Sequence, residues 1–497
     1  MDFPPSSRVP LRTGPDAVAR QTGTPPAHRT GPRIEGENRV TMTRGPTTGP
    51  TATHAPIAAG ASRAAPRTAI RYSVLAFLFI ITAINYGDRA TLGIAGSSIS
   101  HDLGLTPVAM GYIFSAFGWA YVMNQVPGGW LLDRFGSIRV YGASLLAWSV
   151  CTLLIAGVGH VPHAIAFPVL FVLWAGLGLV EAPTFPANSR IVSSWFPTAE
   201  RGLATSIFNS AQYVAVAFFA PLMGWITQQF GWEYIFAVMG VAGVVLAAAW
   251  LMRMRPPASH PGVNAAELAF IRAGGALVDI DDRAMRVRRP LTWRQVRFML
   301  TDRTLVGVYG GQYCITAILY FFLTWFPLYL HQSRGLSMTQ TGLAASVPAL
   351  CGLAGAISGG ALSDMLLRRG QSENVARKTP YVVGMAIAST ICLCNFVQSA
   401  WVIVLIMSFA FFGKGVAAIG WAVISDIAPK ETPGLAAGIF NGIGNIAGIV
   451  TPIVIGYIVA ITKSYNGALL FVAGHCVVAI LLYLFVVGKI RRLSLPV

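Results

Sequence analysis

Apolar runs of roughly 20 residues, long enough to cross a bilayer as helices, recur twelve times in this chain. They start near Val74, Val108, Ile138, His163, Leu203, Trp232, Leu305, Thr339, Tyr381, Trp401, Leu435 and Gly467. Apolar residues make up 54% of the chain and charged ones 11%, the composition of a polytopic membrane protein. The expected fold class is an all-α membrane protein of twelve transmembrane helices.

The formal charge of +17 would suit a nucleic-acid binder if the basic residues were clustered on one surface, but they alternate by loop. With the N-terminus inside, the outer loops hold only Arg334 and Lys463. The inner loops hold Arg134, Arg139, Arg190, Arg201, Arg368, Arg369, Arg377, Lys378 and Lys430, with about ten more basic residues between Arg253 and Arg303. This positive-inside bias places both termini in the cytoplasm and argues against nucleic-acid binding.

Residues 1–70 are rich in Pro, Thr, Gly and Arg, with almost nothing large and apolar to bury, and read as a disordered cytoplasmic tail. The tail lacks the apolar core of a signal peptide, and Met42 is an alternative start that would remove most of it. All six cysteines, Cys392-x-Cys394 included, fall within spans, without disulfide or zinc spacing. The glycine-rich runs at 352–360 and 442–448 follow no strand and lack a P-loop Lys-Ser/Thr, so they read as close helix packing. His475 reads as peripheral packing. No nucleophile–base set or metal cluster marks an enzyme, and no cofactor is expected.

The chain also repeats itself at an offset near 232. Pro197, Gly202, Leu203 and Ile207-Phe208-Asn209 match Pro429, Gly434, Leu435 and Ile439-Phe440-Asn441, and Gly224-Trp-Ile matches Gly456-Tyr-Ile. After spans two and eight, Gly129-x-x-x-Asp133-Arg134-x-Gly136-x-x-Arg139 matches Gly360-x-x-x-Asp364 followed by Arg368-Arg369. The expected organisation is two parallel six-helix pseudo-repeats, 71–253 and 304–489, joined by a cytoplasmic linker, 254–303, with a cytoplasmic tail at 490–497. Parallel halves of this kind place a substrate site at their interface near the bilayer midplane.

The Gly-x-x-x-Asp-Arg-x-Gly-x-x-Arg loop and its weaker second copy resemble the signature of the major facilitator superfamily, over everything from about residue 71 onward. The resemblance implies that Asp133, Arg134 and Asp364 are gate residues whose helix-end contacts hold the outward-open state. Asn85-Tyr86-Gly87-Asp88-Arg89-Ala-Thr-Leu, with Glu181-Ala-Pro-Thr-Phe-Pro-Ala-Asn188 in span four, is similar to the anion:cation symporter branch, which carries carboxylates with protons. Phe208-Asn-Ser-Ala-Gln-Tyr213, His260-Pro-Gly-Val-Asn264, Gly274-Gly-Ala-Leu277, Gly311-Gln-Tyr-Cys314 and Phe412-Gly-Lys-Gly-Val416 resemble its glucarate/galactarate transporters.

Asp88 and Arg89 lie side by side within a stretch, from about Tyr72 to Ser97, that should otherwise sit in hydrocarbon. An ionisable residue there usually faces a water-filled cavity and marks an ion or substrate path. The membrane part contains two basic residues, Arg89 in span one and Lys414 in span ten, and two mid-span acids, Asp88 and Glu181. Asp426, near the inner end of span ten, reads as interfacial. A hexarate has two carboxylates, so a dry cavity needs a cation near each end, and one cation per half suits a substrate that bridges them. Subtracting the repeat offset from Lys414 gives position 182, beside Glu181, so the two are near symmetry mates. Arg89 and Lys414 are expected to hold the carboxylates, and Glu181 to carry the coupled proton with Asp88 as its partner.

The resemblance implies further substrate contacts at Tyr86, Tyr121, Gln212, Trp421 and Asn441. Tyr, Gln and Asn supply donors and acceptors for hydroxyls, and Trp421 can cover an apolar CH face. Gln312 is a further polar candidate in span seven. One position departs from the branch: Trp174 stands where an arginine is usual, two turns from Glu181, and leaves the network one positive charge short. The expected partners are an organic anion, protons and the lipid bilayer of a bacterial cytoplasmic membrane, with the protein a monomer. Symport of a hexuronate, aldonate, tartrate or aromatic acid stays open, as does a non-transporting sensor.

Overall fold

The computed structural model describes residues 67–281, 292–429 and 433–494. Among these residues eleven helices are long and apolar enough to cross a membrane, and a shorter apolar helix, Pro107–Met123, is continued by Gln125–Phe135. The twelve spans are Ile70–Asp102, Pro107–Met123 with its continuation, Ser137–His160, His163–Trp195, Glu200–Phe230, Trp232–Arg253, Arg303–Arg334, Met338–Arg368, Glu373–Phe396, Ala400–Ile427, Leu435–Thr462 and Asn466–Val486. No strand occurs among the described residues. The tail expected over 1–70 lies outside them up to residue 66, as does Lys430.

Local chemistry sets the boundaries. Thr106 caps span two by accepting from the Ala109 N–H ahead of Pro107, and Ser337 starts span eight with a capping box to Gln340. Gly136 (φ 86°) and Gly231 (φ 108°) make the tight passages from span two to three and from five to six, a backbone region that favours glycine. Span nine begins at Glu373, eight residues before the expected start, because its first turns are polar and lengthen the helix beyond its apolar part.

An even number of spans places Ile70 and Val486 at the same end of the bundle, here the terminal end, with the far end opposite. The halves meet most closely towards the far end. A Cβ at Gly93 would lie 1.9 Å from Leu323 O, and one at Gly342 would lie 2.2 Å from Ala220 O, so these backbones approach as closely as only glycine allows. Gln332 donates to Ser97 and accepts from Tyr465, and the Thr339 N–H donates to Gln228, at that same end. Towards the terminal end, a Cβ at Gly129, Gly202, Gly360, Gly438 or Gly442 would meet nothing within 4 Å. Among the described residues the halves are therefore held together at the far end and stand apart at the terminal end.

Two spans are interrupted at equivalent places. Span four breaks at Ala182-Pro183, immediately after Glu181, and span ten breaks at 417–419, just after Lys414. Discontinuous helices at matching points of two halves are a feature of transporter binding sites.

The chain between spans six and seven is partly ordered, with helices Ala265–Ala273 and Trp293–Thr301. Glu267, fully buried, accepts from the Ile70 and Arg71 N–H groups, the Thr68 hydroxyl and the Arg71 guanidinium. Arg71 also reaches Glu200 at 3.0 Å, and Asp281 accepts from Ser137 and Arg190. Residues 257–281 are thus fastened beneath the first half. Past span twelve, the Leu493 N–H returns to Ile427 O.

Candidate functional site

Span one places Asp88 and Arg89 at the middle of the first half, both buried, and span four places Glu181 against them at its break. The Arg89 Nε and Nη2 groups both donate to Glu181 Oε1, the former at 2.7 Å. The guanidinium also lies over three rings, 5.0 Å from Tyr86, 4.6 Å from Phe117 and 5.0 Å from Tyr121. Phe117 and Tyr121 stack on each other at 5.3 Å. Aromatic faces on a desolvated guanidinium add cation–π attraction to the ion pair.

Partners are fewer on the acidic side. Among the described residues Glu181 Oε2 and both Asp88 oxygens are buried without a hydrogen bond. Asn85 beside Glu181, and the Trp148 indole beside Asp88, fall just outside bonding geometry. One cation therefore faces two acids. A lone carboxylate in so dry a place is tolerable only as the neutral acid.

Lys414 in the second half is 5% exposed and has no acidic partner among the described residues. Its ammonium donates to the Tyr213 hydroxyl at 3.4 Å and lies 5.1 Å from the centres of the Tyr213 and Phe411 rings. Both rings line a cavity between the halves, together with Tyr86, Gln212, Phe322 and Pro348.

Tyr86, Tyr121, Arg89 and Glu181 thus form one cluster beside Asp88, and Tyr86 also joins Gln212 at the cavity next to Lys414. The remaining polar candidates gather on spans seven, ten and eleven. Gln312 donates to Thr316, and its side chain borders Gly420 and Gly444. Asn441 accepts from the Asn445 amide through both its carbonyl and side-chain oxygens, while Asn445 accepts from Tyr320. Trp421 meets Phe440 edge-on at 4.9 Å and is 46% exposed. Gln312, Trp421 and Asn441 are not among the residues lining the cavity.

Of the residues expected to form the gate, the structure describes the side chains of Arg134 and Asp364. Arg134 lies over Trp130 and Phe135 of its own helix, and Asp364 is exposed with no ion pair among the described residues. The side chain of Asp133 is outside the described residues. Asp426 pairs with Arg377 at 2.8 Å at the terminal end. Trp174 is buried 6.2 Å from Phe117, so an aromatic ring occupies the position where the branch has a cation. His475 bonds back to Phe471 O of its own helix.

Sequence reasoning missed Phe117, Tyr213 and the Tyr320–Asn445 pair. Phe411 and Lys414, three residues apart, share a helix face, and this spacing is a signal that could have pointed to the aromatic surround of the lysine.

The profile of the Major Facilitator Superfamily matches residues 78–372 and 371–494. The chain belongs to the major facilitator superfamily. Among its relatives, the "probable galactarate/D-glucarate transporter GudP" of Escherichia coli (strain K12) is 54% identical over 88% of this chain and 97% of its own length. The Bacillus subtilis (strain 168) protein of the same name is 53% identical over 88% of this chain and 96% of its own. A solved D-xylose–proton symporter superposes with a TM-score of 0.66 at 14% identity, covering 84% of this chain and 98% of its own. That likeness fixes the superfamily fold.

Proposed function

We propose that the protein is a secondary active transporter that carries hexarates of the glucarate/galactarate type, together with protons, into the bacterial cytoplasm by alternating access. The observation that carries this reading is Lys414, a buried ammonium with no acid of the described chain to neutralise it, beside a cavity between the halves. A buried unpaired charge is strongly disfavoured, and an anionic cargo would relieve it. The names of the relatives, at 53–54% identity, favour a sugar diacid.

Proton coupling rests on the inequality of the two acids. Glu181 occupies Arg89 in this state, so a substrate carboxylate can take Arg89 only if Glu181 gives it up. Protonation of Glu181 removes the competitor, and a substrate carboxylate then takes its place. Asp88, buried without a partner, serves as the second proton holder. Hydroxyls of the sugar acid would meet Tyr86, Tyr121 and Gln212, and, as the halves close at the terminal end, Gln312, Trp421 and Asn441. Asp133, Arg134 and Asp364 would make the helix-end contacts that hold the outward-open state, and Asp364 is without an ion pair here among the described residues.

The basic residues at the terminal end favour a cytoplasmic location for that end and for both termini, with the open side facing inward. The membrane is the bacterial cytoplasmic membrane, and a site complete within one chain is consistent with a working monomer. One observation favours a second reading: with Arg89 held by Glu181, Lys414 is the buried cation left without an acid, which suits a monocarboxylate such as an aldonate. Competition between galactarate and galactonate for uptake into proteoliposomes separates the two. Preference for the diacid supports the hexarate reading, and preference for the monoacid the aldonate one.

A further inference from the structure

The segment between the halves ends in a nine-residue helix, Trp293–Thr301, that none of the roles above uses. Its start is set locally by a capping box: Thr292 accepts from the Gln295 N–H, and Gln295 reaches back to the Thr292 N–H. Asp302 then takes an extended backbone and caps span seven by accepting from the Thr304 and Leu305 N–H groups. The chain therefore bends at a single residue between this helix and a membrane span.

At roughly 100° per residue, Trp293, Val296 and Leu300 share one face, with Met299 at its edge and Arg297 and Arg294 on its other side. Met299 is fully buried and anchors the helix, whereas Trp293 is 74% and Leu300 44% exposed. Arg297 has no acidic partner among the described residues. Next in the chain, Arg303 donates to Phe485 O of span twelve, and the Phe485 ring is 67% exposed. Span seven starts one residue beyond the bend, so the bilayer surface lies beside this helix. An exposed Trp–Leu stripe edged by guanidinium groups is the pattern of a helix lying in a membrane interface. Its arginines match the negative charge of phosphate headgroups.

We propose that Trp293–Thr301 is an interfacial elbow that binds anionic phospholipid. Arg294 and Arg297 take the phosphodiester, Trp293 and Leu300 enter the acyl region, and the lipid tethers the terminal end of span seven. The proposal requires only that the chain is a membrane protein, whatever it carries.

The test titrates the purified full-length protein in detergent with phosphatidylglycerol or phosphatidylcholine and follows its thermal unfolding. A ligand that binds the folded state raises the midpoint, so phosphatidylglycerol should raise it further than phosphatidylcholine. The R294Q/R297Q double variant should need about tenfold more phosphatidylglycerol or beyond for the same rise, while R294K/R297K, which keeps the charge, should retain most of the response. Separately, the emission that W293F removes should be quenched in vesicles whose phosphatidylglycerol carries brominated acyl chains. Equal response to the two lipids, an unchanged titration for R294Q/R297Q, or unquenched Trp293 emission would each overturn the proposal. None of these readouts involves transport, so failure here is distinct from failure of the transport reading.

Discussion

Arg89 is claimed by Glu181 in this state, which makes the two carboxylates of the cluster chemically unequal. If Glu181 is the group whose proton controls access to Arg89, Glu181→Gln should end gradient-driven accumulation in proteoliposomes yet preserve substrate exchange, because an amide keeps the shape and cannot release a proton. Normal accumulation by that variant would remove Glu181 from the coupling. Lys414 makes a separate prediction. Losing a charge-assisted contact in a buried site costs about 2–5 kcal/mol, so Lys414→Gln should reduce the preference for hexarate over the matching monocarboxylate by at least about tenfold. Equal weakening of both would make the lysine structural. The sequence exposed Asp88, Arg89, Glu181 and Lys414, since an ionisable residue within an apolar run is conspicuous. Their pairing was not legible: Arg89 and Glu181 lie 92 positions apart, and whether Arg89 meets Glu181 or a substrate depends on how spans one and four are set against each other. The aromatic cage was hidden for a related reason, because Phe117 looks like any other apolar residue of a span.

At the scale of elements, the apolar runs marked eleven of the twelve starts to within a few residues, and the repeat marked the halves. Span nine was placed late because hydropathy sees only the part in hydrocarbon, whereas its helix begins in polar turns at Glu373. The linker was read from its charge alone, although Asn264 and Thr292 are ordinary helix caps. Its docking depends on Glu267, which has four donors and is fully buried. Glu267→Ala should leave those donors unsatisfied and cost on the order of 3–5 kcal/mol, seen as a lower unfolding midpoint and faster proteolysis near residue 270. An unchanged midpoint would mean that the linker contributes nothing to the first half. The far-end seam makes the complementary prediction. Any side chain at Gly342 meets the Ala220 carbonyl, so Gly342→Leu should wedge spans five and eight apart. Transport should fall by roughly tenfold or more, on the scale of a steric clash of a few kcal/mol, while the protein still inserts. A cysteine at Ser97 should become easier to label from the far side.

For the whole molecule, the sealed far end, the open terminal end and the two helix breaks beside Glu181 and Lys414 fit a carrier with its site open towards the terminal end. If Asp364 belongs to a gate, its lack of an ion pair among the described residues has the same cause: contacts that close the terminal end cannot form while that end is open. Coupled carriage of a sugar diacid is the claim on which the other roles depend. Its most direct test is uptake of labelled galactarate into proteoliposomes, with and without an imposed acid-outside pH gradient. The account predicts transient accumulation above equilibrium only with the gradient, abolished by a protonophore and competed by unlabelled glucarate far better than by galactonate. Galactarate entry at the same rate and to the same level with and without the gradient would contradict it.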